Sequence, residues 1–218
     1  MKIALMNEFS QASKNHIILK ELVDVVEEQG HVVYNVGMSD DNDHRLTYIH
    51  LGVMASLLLN SKAVDFVISG CGTGQGSMMS LNAYPGVTCG YCIDPSDAYL
   101  FAQINNGNAL ALPFAKGFGW GADLNMRYIF EKAFTGVRGQ GYPPERKESQ
   151  VRNAGILNGI KEATAKDFLE GLKTIDPGIV KTAITGERFQ SCFFENCRDK
   201  KIEVFVRNVL DAKSVDAA

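Results

Sequence analysis

Val64-Asp65-Phe66-Val67-Ile68-Ser69 runs directly into Gly70-Cys71-Gly72-Thr73-Gly74-Gln75-Gly76. The short apolar run reads as a buried strand. The loop after it has glycine at every second position, so its backbone can turn tightly and approach a ligand closely. A short helix follows from about Ser77 to Asn82. Strand, glycine-dense loop and helix in that order form the repeating unit of a parallel α/β sheet. Such sheets bind ligands beyond the carboxyl ends of their strands, which is where this loop lies.

The same alternation extends outward in both directions. Upstream, residues 2–7 are an apolar strand. Residues 11–29 carry Ile17, Ile18, Leu22, Val25 and Val26 at helical spacing and stop at Gly30. Residues 31–36 form a second strand, and 47–60 a helix with Leu51, Met54, Ala55 and Leu58 on one face. Downstream come a strand at 86–93, a helix at 95–105, a strand at 108–112 and a helix at 121–134. The pattern predicts an α/β fold with a five-stranded parallel sheet covered on both faces. Residues 136–146, Gly-Val-Arg-Gly-Gln-Gly-Tyr-Pro-Pro-Glu-Arg, read as a loop. Helical patterns at about 152–172 and 200–212 follow. Residues 1–150 therefore read as the α/β domain, and 151–218 as a mostly helical C-terminal extension.

Composition narrows the partners. The chain has 22 basic and 25 acidic residues, a net charge of -3, and no basic run. Bulk charge selects neither nucleic acid nor a membrane surface. No apolar stretch approaches the roughly 20 residues that span a bilayer. Met1-Lys2-Ile3-Ala4-Leu5 reads as a first strand and not as a signal peptide, so a cytoplasmic protein is the simplest reading. Five cysteines, an odd number, argue against a disulfide framework. Cys89 and Cys92 form a C-x-x-C on an expected strand, where positions three apart face opposite sides. That geometry is wrong for a redox pair or a shared metal. A zinc site that also used Cys192 and Cys197 would need a second tight pair, and these two are spaced C-x4-C. No metal is expected.

The loop itself carries the chemistry. Placed before a helix, its free N–H groups converge on one spot, aided by the helix dipole. Its spacing is neither a dinucleotide fingerprint nor a P-loop. A thiol beside such a helix start gains thiolate character and can act as a base on a carbon next to a carbonyl. The loop amides would hold the developing enediolate oxygen, and Thr73 could shuttle a proton. The bland alternative is a small buried Cys71 and glycines that only turn the chain.

Ser69 to Ser77, followed by Asn82 and Pro85-Gly86-Val87, resembles the B-type ribose-5-phosphate isomerase family. That family includes galactose-6-phosphate isomerase subunits and allose- and tetrose-phosphate isomerases. The resemblance extends to Asn105, to Asn108-Ala109-Leu110-Ala111 and to Phe134-Thr135-Gly136-Val137-Arg138, covering roughly residues 1–150. It implies a Rossmann-like α/β/α sandwich that needs no cofactor and works as a homodimer or homotetramer with active sites at a subunit interface. The implied substrate is a small sugar phosphate. Cys71 matches the family's base and Thr73 its proton-transfer threonine. Gly72, Gly74, Gly76 and Ser77 match the anion-binding segment, and Tyr48 and Asn105 match residues beside the sugar. Arg138 matches a phosphate-binding arginine; a solvated loop charge is its other reading. Asn7 and Glu8 close the first strand beside the expected pocket. Asn7 is expected to bind substrate. Glu8 would orient substrate or act as an acid/base, unless it is a salt-bridged strand terminus.

The departures are equally specific. Glu8-Phe9 stands where the family has Asp-His. Ile104 replaces the histidine that opens the sugar ring, and isoleucine cannot move a proton. A phosphate-binding arginine falls on Ala115, leaving Lys116 beside it, and a second is displaced to Arg146. His50 lies close enough to Tyr48 to replace the lost ring-opener, although a helix-face histidine is the simpler reading. One expectation follows: the substrate is already open-chain, such as a tetrose or tetrulose phosphate. The rival reading is a sugar-phosphate-binding or regulatory subunit of a heteromeric isomerase. Loss of Asp-His and of the ring-opener favours it; retention of Cys71 and Thr73 speaks against it.

Overall fold

A computed structural model of the chain describes residues 1–212. The strands β1 (Lys2–Asn7), β2 (Val32–Asn35), β3 (Phe66–Cys71), β4 (Cys89–Tyr91) and β5 (Ala109–Pro113) form one parallel sheet in the order β2-β1-β3-β5-β4. The order reverses at β1, which has β2 on one side and β3 on the other. The carboxyl ends of β1 and β3 thus flank a topological switch point, the usual ligand crevice of an open sheet. The register Asn7↔Gly70 sets the two ends level.

A 3-10 turn, Phe9–Lys14, leads into α1 (Asn15–Val26). Then follow α2 (Tyr48–Asn60), α3 (Gln75–Asn82) and α4 (Pro95–Leu100), which runs on as a π-helical turn at Phe101–Asn105. After α5 (Ala122–Phe134) come α6 (Lys147–Thr164), α7 (Phe168–Lys173), α8 (Pro177–Ile184), α9 (Glu187–Asn196) and α10 (Lys200–Asp211). No helix among the described residues is long and apolar enough to cross a membrane.

Alternation along the strands divides the interior in two. Ile3, Leu5, Phe66, Ile68, Leu110 and Leu112 pack with side chains of α1 and α5. Ala4, Met6, Val67, Ala109 and Ala111 face the other way, toward α2 and α3. Helix α2 is apolar nearly all round because it is covered twice. The sheet lies on one side. Val180, Ile184, Phe189 and Phe193 of the extension share its core on the other. The stretch from Phe168 onward therefore joins the core of the α/β part as a further layer. Residues 213–218 of the expected extension lie outside the described residues. By contrast α6 buries none of its residues and exposes Val151, Ile156, Leu157 and Ile160. Thr88, just before β4, tethers it by donating its hydroxyl to Asn158 at 3.0 Å.

Beyond the α/β part, the expected helix over 152–172 is divided into α6 and α7, and α8 and α9 fill a stretch in which the sequence reading has no helix. Within the α/β part, three elements differ. Strand β3 continues through Gly70 and Cys71, which stay paired with Leu112 and Pro113. Cys71 is therefore the last residue of a strand, and the loop proper begins at Gly72. Gly70 is needed for packing: a Cβ there would lie 2.2 Å from the Phe114 ring. The expected helix over 11–29 begins only at Asn15, because the Glu8 side chain caps a 3-10 turn first. Strand β4 covers three residues of the expected eight. Cys89 and Cys92 fall in opposite cores, as their spacing on a strand implies.

Candidate active site

Cys71 sits at the carboxyl end of β3 with 6% of its surface exposed. Its carbonyl accepts from Phe114 N–H at 2.9 Å, and the Gly72 carbonyl accepts from the N–H groups of Ala115 and Lys116, each at 3.0 Å. The ends of β3 and β5 are thus clamped together under the thiol. Tyr91, at the end of β4, donates its hydroxyl to the Thr73 carbonyl at 2.9 Å. Gly74 adopts a left-handed conformation with φ 75°, where a Cβ would meet the Leu112 carbonyl carbon at 2.7 Å and the Tyr91 ring at 2.8 Å. Glycine alone allows the chain to turn there and start α3.

The first turn of α3 leaves the N–H groups of Gly76 and Ser77 without an intrahelical partner. Thr73 is exposed, and its hydroxyl accepts from Gln75 N–H at 3.4 Å. Tyr48, the first residue of α2, packs its ring on Gly76, 3.1 Å from where a Cβ would lie. Lys116 is exposed on the β5 side of the loop. Cys71, Thr73, Gly72, Gly74, Gly76, Tyr48 and Lys116 therefore meet at one rim.

Ser77 contributes differently than expected. Its side chain is fully buried, with its hydroxyl 3.3 Å from that of Ser69, so only its N–H faces the loop. Asn7 is a correction. Rather than facing substrate it is fully buried, donating to the Gln11 carbonyl at 2.9 Å and accepting from Asn15 at 3.1 Å. Both ends of its amide are spent on holding the turn after β1. Glu8 makes no ion pair among the described residues and so is not the salt-bridged strand terminus of the alternative reading. It is 3% exposed and accepts from the Ser10 N–H at 3.2 Å and from the Ser10 hydroxyl. His50 closes a capping box at the start of α2, with Nδ1 accepting from Thr47 N–H at 2.9 Å. Burial, then nearby His44, pushes its pKa below the ordinary value.

Asn105, Arg138 and Arg146 lie elsewhere. Asn105 ends the π-helical turn, three residues before Asn108, whose N–H donates to the Thr88 carbonyl at the start of β4. Arg138 donates to the carbonyls of Ala133 at 2.9 Å and Gly107 at 2.7 Å, and its guanidinium lies over Phe66, the first residue of β3. Burial pushes its pKa down. Arg146 closes a short turn after Gly141, whose N–H donates to the Gln103 carbonyl. Arg138 thus stands at the amino-terminal start of β3, about 16 Å from Cys71 along the strand, and Asn105 and Arg146 belong to the π-helical turn and to the segment bonded to it. Within one chain the structure does not bring them to the loop.

Residues that sequence reasoning passed over complete the rim. Gln11 donates to the Ser10 hydroxyl at 2.9 Å and accepts from Lys14 at 2.8 Å; Lys14 also donates to the Phe114 carbonyl at 2.6 Å. A polar chain thus runs from Glu8 to Lys14 along the β5 side of Gly72. Burial lowers the Lys14 pKa. The signal for it was the polar run Ser10-Gln11-Ala12-Ser13-Lys14, too polar for a buried helix face. Among the other thiols, burial pushes Cys89 and Cys192 up to about 12 each, and Cys92 upward as well. Those three are packing residues. No cluster of metal-ligating side chains occurs among the described residues.

A family model described as Ribose/Galactose Isomerase matches residues 3–135, and one described as Ribose-5-phosphate isomerase matches residues 163–209. No curated protein matches the chain. Among solved structures, a ribose-5-phosphate isomerase from Vibrio parahaemolyticus is 63% identical over 96% of this chain and 99% of that chain, with a TM-score of 0.95. A 4-deoxy-L-threo-5-hexosulose-uronate ketol-isomerase complexed with a tartrate is 54% identical over 97% of this chain and 100% of that chain, also at 0.95. Type B ribose 5-phosphate isomerase from Trypanosoma cruzi is 17% identical over 75% of this chain and 99% of that chain, at 0.63, a likeness of fold alone. With a thiol at the switch point of a five-stranded parallel sheet and a family model matched over residues 3–135, the chain is an isomerase that belongs to the ribose/galactose isomerase family.

Proposed function

We propose that the protein is an aldose–ketose isomerase in which Cys71 is the base, acting on an open-chain sugar derivative with an anionic end. The observation that carries this reading is the position of the thiol, at the strand end and directly before the amides of Gly72 to Ser77. The Cys71 thiolate would take the proton from the carbon next to the carbonyl. The electron pair left behind forms the enediolate, and the loop amides stabilise its oxygen. Thr73 carries the hydroxyl proton from one oxygen to the other. Return of the carbon-bound proton to the neighbouring carbon completes the isomerisation without an oxidant or a cofactor.

Two features favour an open-chain substrate. Ile104 offers no proton where the family's ring-opener stands, and His50 is engaged as a helix cap. The anion would be a phosphate, as on a tetrulose phosphate, or a carboxylate. The carboxylate reading draws on the 54% identity to a ketol-isomerase of a hexosulose uronate.

The two groups of expected residues support a composite site. Asn105, Arg138 and Arg146 would reach a loop only in a second subunit, so we infer a homodimer in which each site draws on both chains. The exposed apolar residues of α6, beside the π-helical turn, and the fully exposed Trp120 near the loop rim are surfaces such an assembly would cover.

Purified protein in deuterated water, supplied with four- to six-carbon sugar phosphates and with the hexosulose uronate, tests the chemistry. Deuterium should enter at the carbon next to the carbonyl and should stop entering in Cys71→Ala. Turnover that survives Cys71→Ala overturns the base. Mixing inactive Cys71→Ala with inactive Asn105→Ala should restore part of the activity. Mixtures that stay dead while exchanging subunits refute the composite site.

A further inference from the structure

The rim carries a cation that neither the family motif nor the proposed mechanism uses. Phe9 follows Glu8 at the end of β1, and its N–H donates to the Leu46 carbonyl at 2.8 Å. That bond draws the segment before α2 over the end of β1. Arg45, one residue earlier, lays its guanidinium on the Phe9 ring, with Cζ 3.6 Å from the centroid. Three residues later Tyr48 packs on Gly76 of the loop. Arg45 therefore stands on the α2 side of the crevice, next to the strand end that lies level with Gly70.

Its surroundings separate it from Arg138 and Lys14; Lys116, the other exposed cation of the rim, lies on the opposite, β5 side of the loop and has no aromatic ring beneath it among the described residues. Within the same chain, Arg138 lies at the far edge of the sheet with its guanidinium on two carbonyls. Lys14 is shared between Gln11 and the Phe114 carbonyl. Arg45 is exposed, and among the described residues its guanidinium makes no hydrogen bond or ion pair and rests on the Phe9 ring. Stacking covers one face of the guanidinium and fixes its plane. The N–H fork stays open, in the geometry that binds an oxyanion through two parallel hydrogen bonds. Phe9 replaces the family's histidine, so the residue that departs from the pattern is the one that supports the arginine.

We propose that Arg45, held flat on Phe9, grips the oxyanion at the end of the substrate remote from the reacting carbons and so selects anionic open-chain sugars over neutral ones. The proposal rests on the isomerase reading only in placing the reacting carbons at Cys71; the binding itself is independent of that base.

Calorimetric titration of the full chain with tartrate, inorganic phosphate and the neutral four-carbon polyol erythritol tests it. Arg45→Met keeps an apolar contact with the ring and loses the charge; Arg45→Lys keeps the charge and loses the fork. Arg45→Met should weaken the preferred anion by about tenfold or more, the size of one charge-assisted hydrogen bond. Arg45→Lys should weaken it less, and erythritol should be unaffected by either. The anion that loses more identifies the end group as carboxylate or phosphate. Wild-type protein that binds neither anion, an Arg45→Met variant that binds both as well as wild type, or equal losses for erythritol and the anions would each overturn the proposal. Cys71→Ala should still bind the anion, so a wrong base and a wrong anion site give different results.

Discussion

Replacing Asp43 by Asn tests how the extension holds the loop that carries Arg45 and Tyr48. The Asp43 carboxylate accepts from Ser39 N–H at 2.6 Å, from the Ser39 hydroxyl at 2.9 Å and from Arg188 of α9 at 2.5 Å. Arg188 also donates to the Ser39 hydroxyl at 3.0 Å and to the Gly37 carbonyl at 2.8 Å. Burial alone would raise the Asp43 pKa, but the Ser39 amide, Arg188 and the Ser39 hydroxyl outweigh it and hold the group at about 2 against an ordinary 3.8. That fall is equivalent to about 2 kcal/mol of preference for the folded carboxylate. Arg188 is 44% exposed, so solvent and salt screening bring the expected loss in Asp43→Asn to about 1–2 kcal/mol at pH 7. The sign follows from a depressed carboxyl. The contribution is complete above pH 3.8 and is lost as the pH falls toward about 2, with roughly half remaining at pH 3. Urea unfolding of both proteins at one fixed concentration, followed by circular dichroism, measures the difference. A loss below about 0.3 kcal/mol at pH 7, or one that stays constant down to pH 3, would refute the reasoning.

Gly74→Ala combines a left-handed backbone with a Cβ pressed against the Leu112 carbonyl carbon. It should cost about 1–3 kcal/mol of stability in urea and lower turnover as α3 shifts; a variant as stable as wild type contradicts the turn geometry. Leu157→Glu with Ile160→Glu changes two exposed apolar residues of α6. It should leave each chain folded, shift light scattering toward the monomer mass and abolish turnover. A dimer of full activity removes α6 from the interface.

The succession of strands and helices along the chain and the placement of the loop were legible because periodicity and glycine spacing are local properties; the order β2-β1-β3-β5-β4 within the sheet was not. The identity of β3 followed from Val64 to Ser69, but its last two residues did not, since Gly70 and Cys71 are held by pairing with Leu112 and Pro113. Side-chain commitments were harder. Asn7 stands where a substrate ligand would, yet Gln11 and Asn15 take both ends of its amide. Arg138 reads as an anion ligand, yet it is held by the nearby Ala133 carbonyl and by the Gly107 carbonyl 31 positions away, a pairing that no local motif announces. Tyr91 and Arg45 escaped notice because their importance rests on contacts across the fold, to Thr73 and Phe9.

The clasp between Asp43 and Arg188 joins residues 145 positions apart. Synthesis runs from the amino end, and domains fold as their segments emerge. All five strands are complete once Pro113 has been added. The loop before α2 must wait for α9. A nascent chain can therefore own its whole sheet while the α2 side of the rim around the thiol is still loose, and that side sets only once α9 has been made.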